Sequence, residues 1–515
     1  MPLQSGVRVR VWADEGPGRA PEQRAGVLTE PLPQTAVCFS GGSTRSMAAT
    51  VGQLRGLVAL GLIDRVGYIS CVSGSTWAVV PYLFAADGAE RLGAVTPPEH
   101  LTLAGLARLD ARSLLLPATS RFRDTLERLE SDDTVCSDQV WIRAVGATFL
   151  APGGLYDARD PVGFAAAAGS VASGGAAGGT LTPRCHRPRT ARPFPVLHST
   201  LNWPESWSAA QQQLPFEYTP LYVGSPRRRM LRDARAGERT VGGTFVEPLG
   251  FGCAAPGGGI DTDGRVAVTP PPQPFTLGDM IAASSAFNTR DRDVRAYPHA
   301  TYWTLPAADG GPCGVNDLFT DGGDVDPLAL LGMLRRRIPA IVVFINSVWP
   351  LALDHDPRGW PEHGQVDPAV PPLFGEPSPH GLRNRVFSPT SYREVVSAWQ
   401  AAKRAGRPLV AATHLRVEPN DWWGIEGGWD VSVCWVYNDR VSSWEAGLGD
   451  EVRRVLPAGA ASLRDVSLAR FPHYGTIGEN AGALTRLTPR QVNLLADLAG
   501  WGVQVSGDAL HAVLG

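Results

Sequence analysis

Lysine is nearly absent from this chain of 515 residues: of its 47 basic residues only Lys403 is lysine, an arginine bias that says little about mechanism. Paired cysteines are missing too. The seven cysteines (Cys38, Cys71, Cys136, Cys185, Cys253, Cys313 and Cys434) are odd in number and widely spread, with no Cys-x-x-Cys among them, which argues against a disulfide framework or a thiol redox motif. A reducing, cytoplasmic compartment is expected. There is no basic excess: the formal charge is -3 and 19% of residues are charged, so nucleic acid is not an expected partner. No apolar run approaches the length needed to cross a bilayer, and residues 1–34 lack the apolar core of a signal peptide. The expectation is a protein that is soluble or held peripherally at a membrane. Internal repeats, coiled-coil heptads and zinc-ligand spacings are not found.

What is present is organised around residues 35–84. There, two Gly/Ser-rich turns each lie between a short apolar strand and an amphipathic helix. Ala36-Val37-Cys38-Phe39 leads into Ser40-Gly41-Gly42-Ser43-Thr44-Arg45 and a predicted helix from Ser46 to about Leu62. Val66-Gly67-Tyr68-Ile69-Ser70 leads into Cys71-Val72-Ser73-Gly74-Ser75 and a predicted helix from Thr76 to about Ala86. In a strand-turn-helix the unpaired backbone N–H groups of the turn and of the first helical residues converge, which suits an anion or a developing oxyanion. The chain length fits an α/β body with a central, mainly parallel sheet, helices on both faces and an inserted cap. The expected division is an N-terminal extension over 1–34 and one catalytic domain over 35–515, with 100–275 as the cap or lid.

A third piece lies far downstream: Thr320-Asp321-Gly322-Gly323, then Pro327 and Leu328, the basic end Arg335–Arg337, and a strand from Ile341 to Ile345. In order and spacing these three motifs resemble those of the cytosolic phospholipase A family, relatives of the patatins. The similarity extends through Phe216-Glu217-Tyr218-Thr219-Pro220 and the small-residue helix Thr276–Phe287. The resemblance implies a Ser/Asp dyad acyl hydrolase, of phospholipase A or lysophospholipase type, that works without a cofactor through an acyl-enzyme. It implies Ser73 as nucleophile and Asp321 as base. It also implies an oxyanion and substrate-binding set of Gly41, Gly42, Ser43 and Gly74, with Arg45 contacting phosphate or oxyanion. Its implied partners are a phospholipid or lysophospholipid and a peripheral membrane surface.

Two positions depart from the family pattern. Ser43 stands where a third loop glycine is expected, and Cys71 stands two residues before the nucleophile, where glycine is usual; a Cβ at either place crowds a tight turn. Two other readings stay open. One is a Ser-His-Asp esterase of α/β-hydrolase type with His414 or His473 as base, although Cys71 and Ser75 occupy both glycine positions of the elbow that fold requires. The other is a non-catalytic relative that binds lipid or protein.

The rest of the chain is read by pattern. Leu-rich spacing predicts a helix over 101–116, as core or lid. Residues 165–179 are Ala, Gly and Ser and predict a flexible loop; the basic run Arg184, Arg187, Arg189 and Arg192 that follows is either an anionic-lipid contact or a solvated surface. Asp317–Ser347 predicts a strand-turn-helix-strand crossover that places Asp321 at a strand end. The Pro- and Gly-rich stretch 350–389 predicts a surface excursion. Ser391 with Glu394, and Thr488 with Gln491, have capping-box spacing, while Gly406 and Gly500 lie where those helices should stop.

Overall fold

The computed structural model describes the chain except residues 1–6, 25, 27, 29–30, 164–184, 205–210, 236, 270, 272, 288–292, 306–312, 379–380, 457–467 and 477–485. The flexible loop expected over 165–179 lies outside the described residues.

Five strands run parallel at the centre of a 13-stranded sheet, in the order β4 (Phe194–Trp203), β3 (Tyr68–Val72), β2 (Thr35–Phe39), β13 (Ala340–Ile345) and β15 (Asp430–Tyr437). They read as near-continuous apolar runs because both faces are covered. Alternate side chains divide between two cores. Val37, Phe39, Ile69, Cys71, Val342 and Phe344 pack on one side with α1 (Ser43–Ala59), α2 (Thr76–Phe84) and α7 (Pro489–Val505). Ala36, Cys38, Tyr68, Ile341, Val343 and Ile345 pack on the other with Tyr392, Val395, Val396 and Trp399 of α6 (Pro389–Arg404). The α/β class and the helices on both faces are as expected.

The flanks are antiparallel. Beyond β4 lie β5 (Gln212–Tyr218), β6 (Val223–Ser225), β9 (Thr244–Val246), β1 (Val7–Ala13) and β10 (Arg265–Val268). Residues 7–13 of the N-terminal extension are therefore a sheet strand. Of the stretch expected as a cap, residues 194–268 carry five strands of the same sheet. Its helical part includes α3 (Phe122–Glu130) and α4 (Ser137–Val145) and packs through Phe122, Trp141 and Phe149 against Trp77 of α2.

Some local expectations are corrected. Within 101–116 only Leu103–Leu106 and the turn beginning at Leu116 are helical, since Pro117 and the Asp110–Ser113 turn interrupt the pattern. The 350–389 excursion buries Leu351, Val366, Val370, Leu373, Phe374, Val386 and Phe387 beneath α6. Helix α6 is capped by Ser388, with Pro389 at its first position, not by Ser391. Gly406 does end it, at φ 68°. Thr488 and Gln491 form the predicted capping box, but α7 continues past Gly500 to Val505. Gly500 and Gly52 are contact glycines: a Cβ on Gly52 would stand 2.1 Å from the Ala496 carbonyl oxygen, so α1 and α7 cross with their backbones in contact. Arg189 stacks over Tyr82 and Arg192 donates to the Pro31 carbonyl, so these two members of the basic run lie against the protein.

The arrangement that positions the site is a seam beside β4. Strand β3 pairs with the first half of β4 in parallel, ending at Val72 opposite His198. Strand β12 (Cys313–Asp321) pairs with the second half in antiparallel sense, ending at Asp321 opposite Ser199. The two strands meet head to head along one neighbour, and their carboxyl ends adjoin. Hence β12 is not the first strand of a parallel crossover into β13, as its sequence suggests, but Asp321 does stand at a strand end.

Candidate active site

Ser73 is the first residue after β3 and adopts φ 57°, the left-handed region that costs a residue with a Cβ about 1–3 kcal/mol. Its neighbours hold it there. The Ser75 hydroxyl accepts from the Val72 amide at 3.0 Å and lies 3.0 Å from the Phe39 carbonyl, tying the turn to β2. Thr76 Oγ1 donates to the Ser73 carbonyl at 2.6 Å. The Ser73 amide donates to Ser284 Oγ at 3.2 Å, and that hydroxyl donates to the His198 carbonyl at 2.6 Å. So turned, Ser73 Oγ donates to Asp321 Oδ2 at 2.6 Å across the β3/β12 seam. Both residues are buried, 7% and 5% exposed.

Burial pushes the Asp321 carboxyl up to about 6, against the Ser73 hydroxyl and the Gly323 amide, whose hydrogen bonds pull it down. A carboxylate so placed is a far better proton acceptor than a solvated one near ~3.9. The neighbouring acids serve other ends. Asp324 accepts from Thr320 Oγ1 at 2.8 Å, and Asp326 accepts from the Leu331 amide at 2.8 Å. Neither histidine of the triad alternative bonds Ser73: His414 Nδ1 pairs with Ser432, and His473 lies between the Ser347 carbonyl and Asp439.

The first Gly/Ser turn lies against the second. A Cβ on Gly74 would stand 2.0 Å from the Ser43 carbonyl oxygen, so only glycine lets the Ser73 turn close onto this loop. Gly42 has φ 134° and forms the N-cap of α1, while Gly41 lies beside Ser73, where an added Cβ would be 3.1 Å from the Ser73 Cβ. The Gly41 amide donates to the Pro327 carbonyl at 3.0 Å. Among the described residues, the amides of Gly42, Ser43 and Gly74 make no hydrogen bond, and the α1 N-terminus adds the positive end of its dipole to this corner. Ser43 is accommodated at φ 54°, its hydroxyl buried without a hydrogen bond among the described residues. Ser43→Gly should therefore be stabilising by about 1 kcal/mol or more through relief of both costs, read as a higher denaturant midpoint. Cys71 is fully buried in β3, and burial pushes its thiol up, so it is a small apolar side chain here.

Arg45, in the first turn of α1, is 5% exposed. Its guanidinium donates to the Asn346 carbonyl at 3.0 Å, the Tyr474 carbonyl at 2.7 Å and Thr476 Oγ1 at 3.4 Å. Burial pushes it down to about 10, with Asp367 opposing that shift. It carries positive charge into the corner next to Gly42.

Several positioning residues are invisible to motif reading. Ser284 and Ser285 end α5 (Leu277–Ser284); the first takes the Ser73 amide, and the second accepts from Trp77 Nε1 at 3.1 Å. The pair of serines closing a helix of small residues is the one signal that marks them. Among the described residues no group of His, Cys, Asp and Glu is arranged to hold a metal ion, and no helix is long and apolar enough to cross a membrane.

Fold and site together define an α/β protein with a buried serine–carboxylate pair set beside two helix N-termini. Over a 48-residue stretch, 9% of its length, the chain is 54% identical to human cytosolic phospholipase A2 zeta and 50% identical to human cytosolic phospholipase A2 beta. It spans 6% of the length of these curated relatives. Among solved structures it is similar to human GIVD cytosolic phospholipase A2, with a TM-score of 0.47, 14% identity and coverage of 98% of this chain and 66% of that one. The same enzyme in complex with methyl gamma-linolenyl fluorophosphonate and terbium chloride gives a TM-score of 0.41 and 16% identity, covering 94% of this chain and 60% of that one. No protein-family model matches the chain.

Proposed function

We propose that this protein is a serine acyl hydrolase that cleaves carboxylic esters of phospholipids or lysophospholipids through a Ser73/Asp321 dyad. The observation that carries the reading is the 2.6 Å bond from Ser73 Oγ to Asp321 Oδ2, made at a strained turn beside amides that have no hydrogen bond among the described residues. The 48-residue match to cytosolic phospholipases A2 supports the choice of lipid ester.

In this mechanism Ser73 Oγ attacks the ester carbonyl carbon while its proton passes to Asp321 Oδ2. The carbonyl oxygen becomes an oxyanion facing the amides of Gly42, Ser43 and Gly74. Gly41, its amide engaged by Pro327, contributes the room that a side chain would take. Collapse of the tetrahedral intermediate breaks the ester C–O bond, and Asp321 returns the proton to the leaving alkoxide. Water then repeats the sequence on the acyl-Ser73 ester, with Asp321 again as base, and releases the fatty acid. Arg45 stabilises negative charge next to the oxyanion loop, on the substrate phosphate or on the loop's own bound anion. The catalytic domain expected over 35–515 takes in β1 as well, and its helical stretch from 98 to 156 is where we place the lid. The substrate is met at a membrane surface from the cytoplasmic side.

Incubation with a fluorophosphonate and hydrolysis of a panel of phospholipids and lysophospholipids test this directly. Wild-type protein should be labelled at Ser73 and release fatty acid; Ser73→Ala should do neither. Wild-type protein that is folded, unlabelled and inert on the whole panel would sink the assignment and favour the non-catalytic lipid-binding reading.

A further inference from the structure

The oxyanion loop is gripped from outside by a segment of chain more than 400 positions away. Thr476 Oγ1 donates to the Gly42 carbonyl at 2.8 Å, and the carbonyl of Tyr474 accepts from Arg45 Nη1 at 2.7 Å. Thr476 and Tyr474 are both fully buried. Their segment, 471–476, has no regular secondary structure to hold it, so its geometry depends on side-chain anchors. His473 is the principal one. Its Nδ1 lies 3.0 Å from the Ser347 carbonyl and its Nε2 lies 3.1 Å from Asp439 Oδ1, so the two ring nitrogens tie the segment to two separate points beyond the ends of β13 and β15. Asp439 is in turn fixed by Lys403 Nζ at 2.6 Å and by the Leu351 amide at 2.9 Å. The single lysine of the chain is thus the outer end of this series. Arg470 Nη2, at the near end of the segment, donates to the Val348 carbonyl at 2.9 Å.

We infer that residues 471–476 are a positioning strap for the oxyanion loop, locked to the sheet through His473, Asp439 and Lys403 and acting on Gly42 and Arg45 through Thr476 and Tyr474. A turn with φ 134° at Gly42, followed by 54° at Ser43, is one that a free loop leaves readily. The Gly42 carbonyl also accepts from the Ser46 amide at 3.2 Å, so the Thr476 hydroxyl supplies the second, shorter of two bonds that fix the peptide plane between Gly42 and Ser43, and with it the direction of the Ser43 amide. Fixing Arg45 holds the first turn of α1. The strap's own residues, His473, Tyr474 and Thr476, contact Gly42 and Arg45 and not Ser73 or Asp321, so they work through the loop. The consequence for rate rests on the hydrolase reading above; the effect on the loop does not.

Two measurements separate them. The first is hydrogen exchange of peptides covering residues 40–46 in the full chain. Thr476→Val keeps the shape of the side chain and removes its hydroxyl; it should speed exchange in these peptides at least tenfold, and Thr476→Ser should restore protection. His473→Asn, whose shorter side chain has a single amide nitrogen and cannot reach both the Ser347 carbonyl and Asp439, should loosen 40–46 together with 471–476. Unchanged protection of 40–46 in both Thr476→Val and His473→Asn would overturn the strap, whether or not the protein proves to be a hydrolase. The second is turnover on a lipid ester. Thr476→Val should lower kcat on the order of 10- to 100-fold with KM little changed, as expected for a small displacement of catalytic donors, and Thr476→Ser should recover most of it. A Thr476→Val enzyme with wild-type kcat would also overturn the proposal. An inert wild type that nonetheless shows the exchange effects would leave the strap standing and remove the hydrolase reading instead.

Discussion

Asp321→Asn should lose on the order of 10⁴-fold or more in turnover while melting at or above the wild-type temperature at pH 8. The loss follows from chemistry, since an amide cannot take the Ser73 proton, and groups acting as one unit fail together. The gain follows from burial. The folded-state carboxyl titrates at about 6, above its unfolded value near ~3.9, so the folded protein binds the proton more tightly. The stability this contributes is fully present below about pH 4 and lost as pH rises through about 6; above that the buried charge is a standing cost. Removing the charge should recover up to about 3 kcal/mol at pH 8, the worth of roughly two pH units. The same ionisation should appear in kcat/KM, rising about tenfold per unit up to pH 6 and then levelling. Urea unfolding at pH 4 and pH 8 for both proteins checks the linkage. A variant that is inactive and markedly less stable at pH 8 would mean that Asp321 is chiefly a structural group.

Arg45→Ala should reduce hydrolysis of phosphate-bearing lipids by 100-fold or more while costing a small neutral ester about tenfold or less. Charge-assisted contacts of a guanidinium with phosphate are directional, and Arg45→Lys should not rescue them, because an ammonium cannot reproduce the planar fork. The structure sharpens the competing outcome. Arg45 already donates to the carbonyls of Asn346 and Tyr474, so part of its work is holding the loop. If that were all of it, both substrates would suffer equally. The phosphate contact would then be withdrawn and the substrate class widened to other acyl esters, with the Ser73/Asp321 assignment untouched. Parallel assays of one phospholipid, one lysophospholipid and one short neutral ester decide between the two.

Much of this was legible in the sequence because the central strands are short-range objects. Each of β2, β3 and β13 is an apolar run ending in a turn whose residues betray its geometry, and the helices that follow begin where the turns end. Pairing information was not legible. Nothing in the composition of β12 distinguishes a strand parallel to β4 from one antiparallel to it, so the crossover reading failed although the position of Asp321 at a strand end held. Val7, Val9 and Val11 alternate with Arg8 and Arg10, a period-2 pattern that marks β1, yet the segment reads as an extension because its partners β9 and β10 lie more than 230 residues away. Gly500 looks like a helix stop because a glycine's need for space and its freedom of φ leave the same letter in the sequence. Ser284 and Thr476 escaped because their hydroxyls act on backbone atoms brought near only by the fold.

The head-to-head seam gives β4 the role of a ruler. The separation of Ser73 from Asp321 is set neither by their own strands nor by the 248 positions that separate them in sequence, but by the single step from His198 to Ser199 on a shared neighbour. One extra residue inserted at that step would slide the two ends apart by about 3.3 Å, more than the whole length of the bond between them, while every helix and both turns stayed intact. Insertions of the same size in loops that do not measure this distance would leave it unchanged. On the proposed dyad, competence would therefore be a property of strand length, with β4 as the element that sets it.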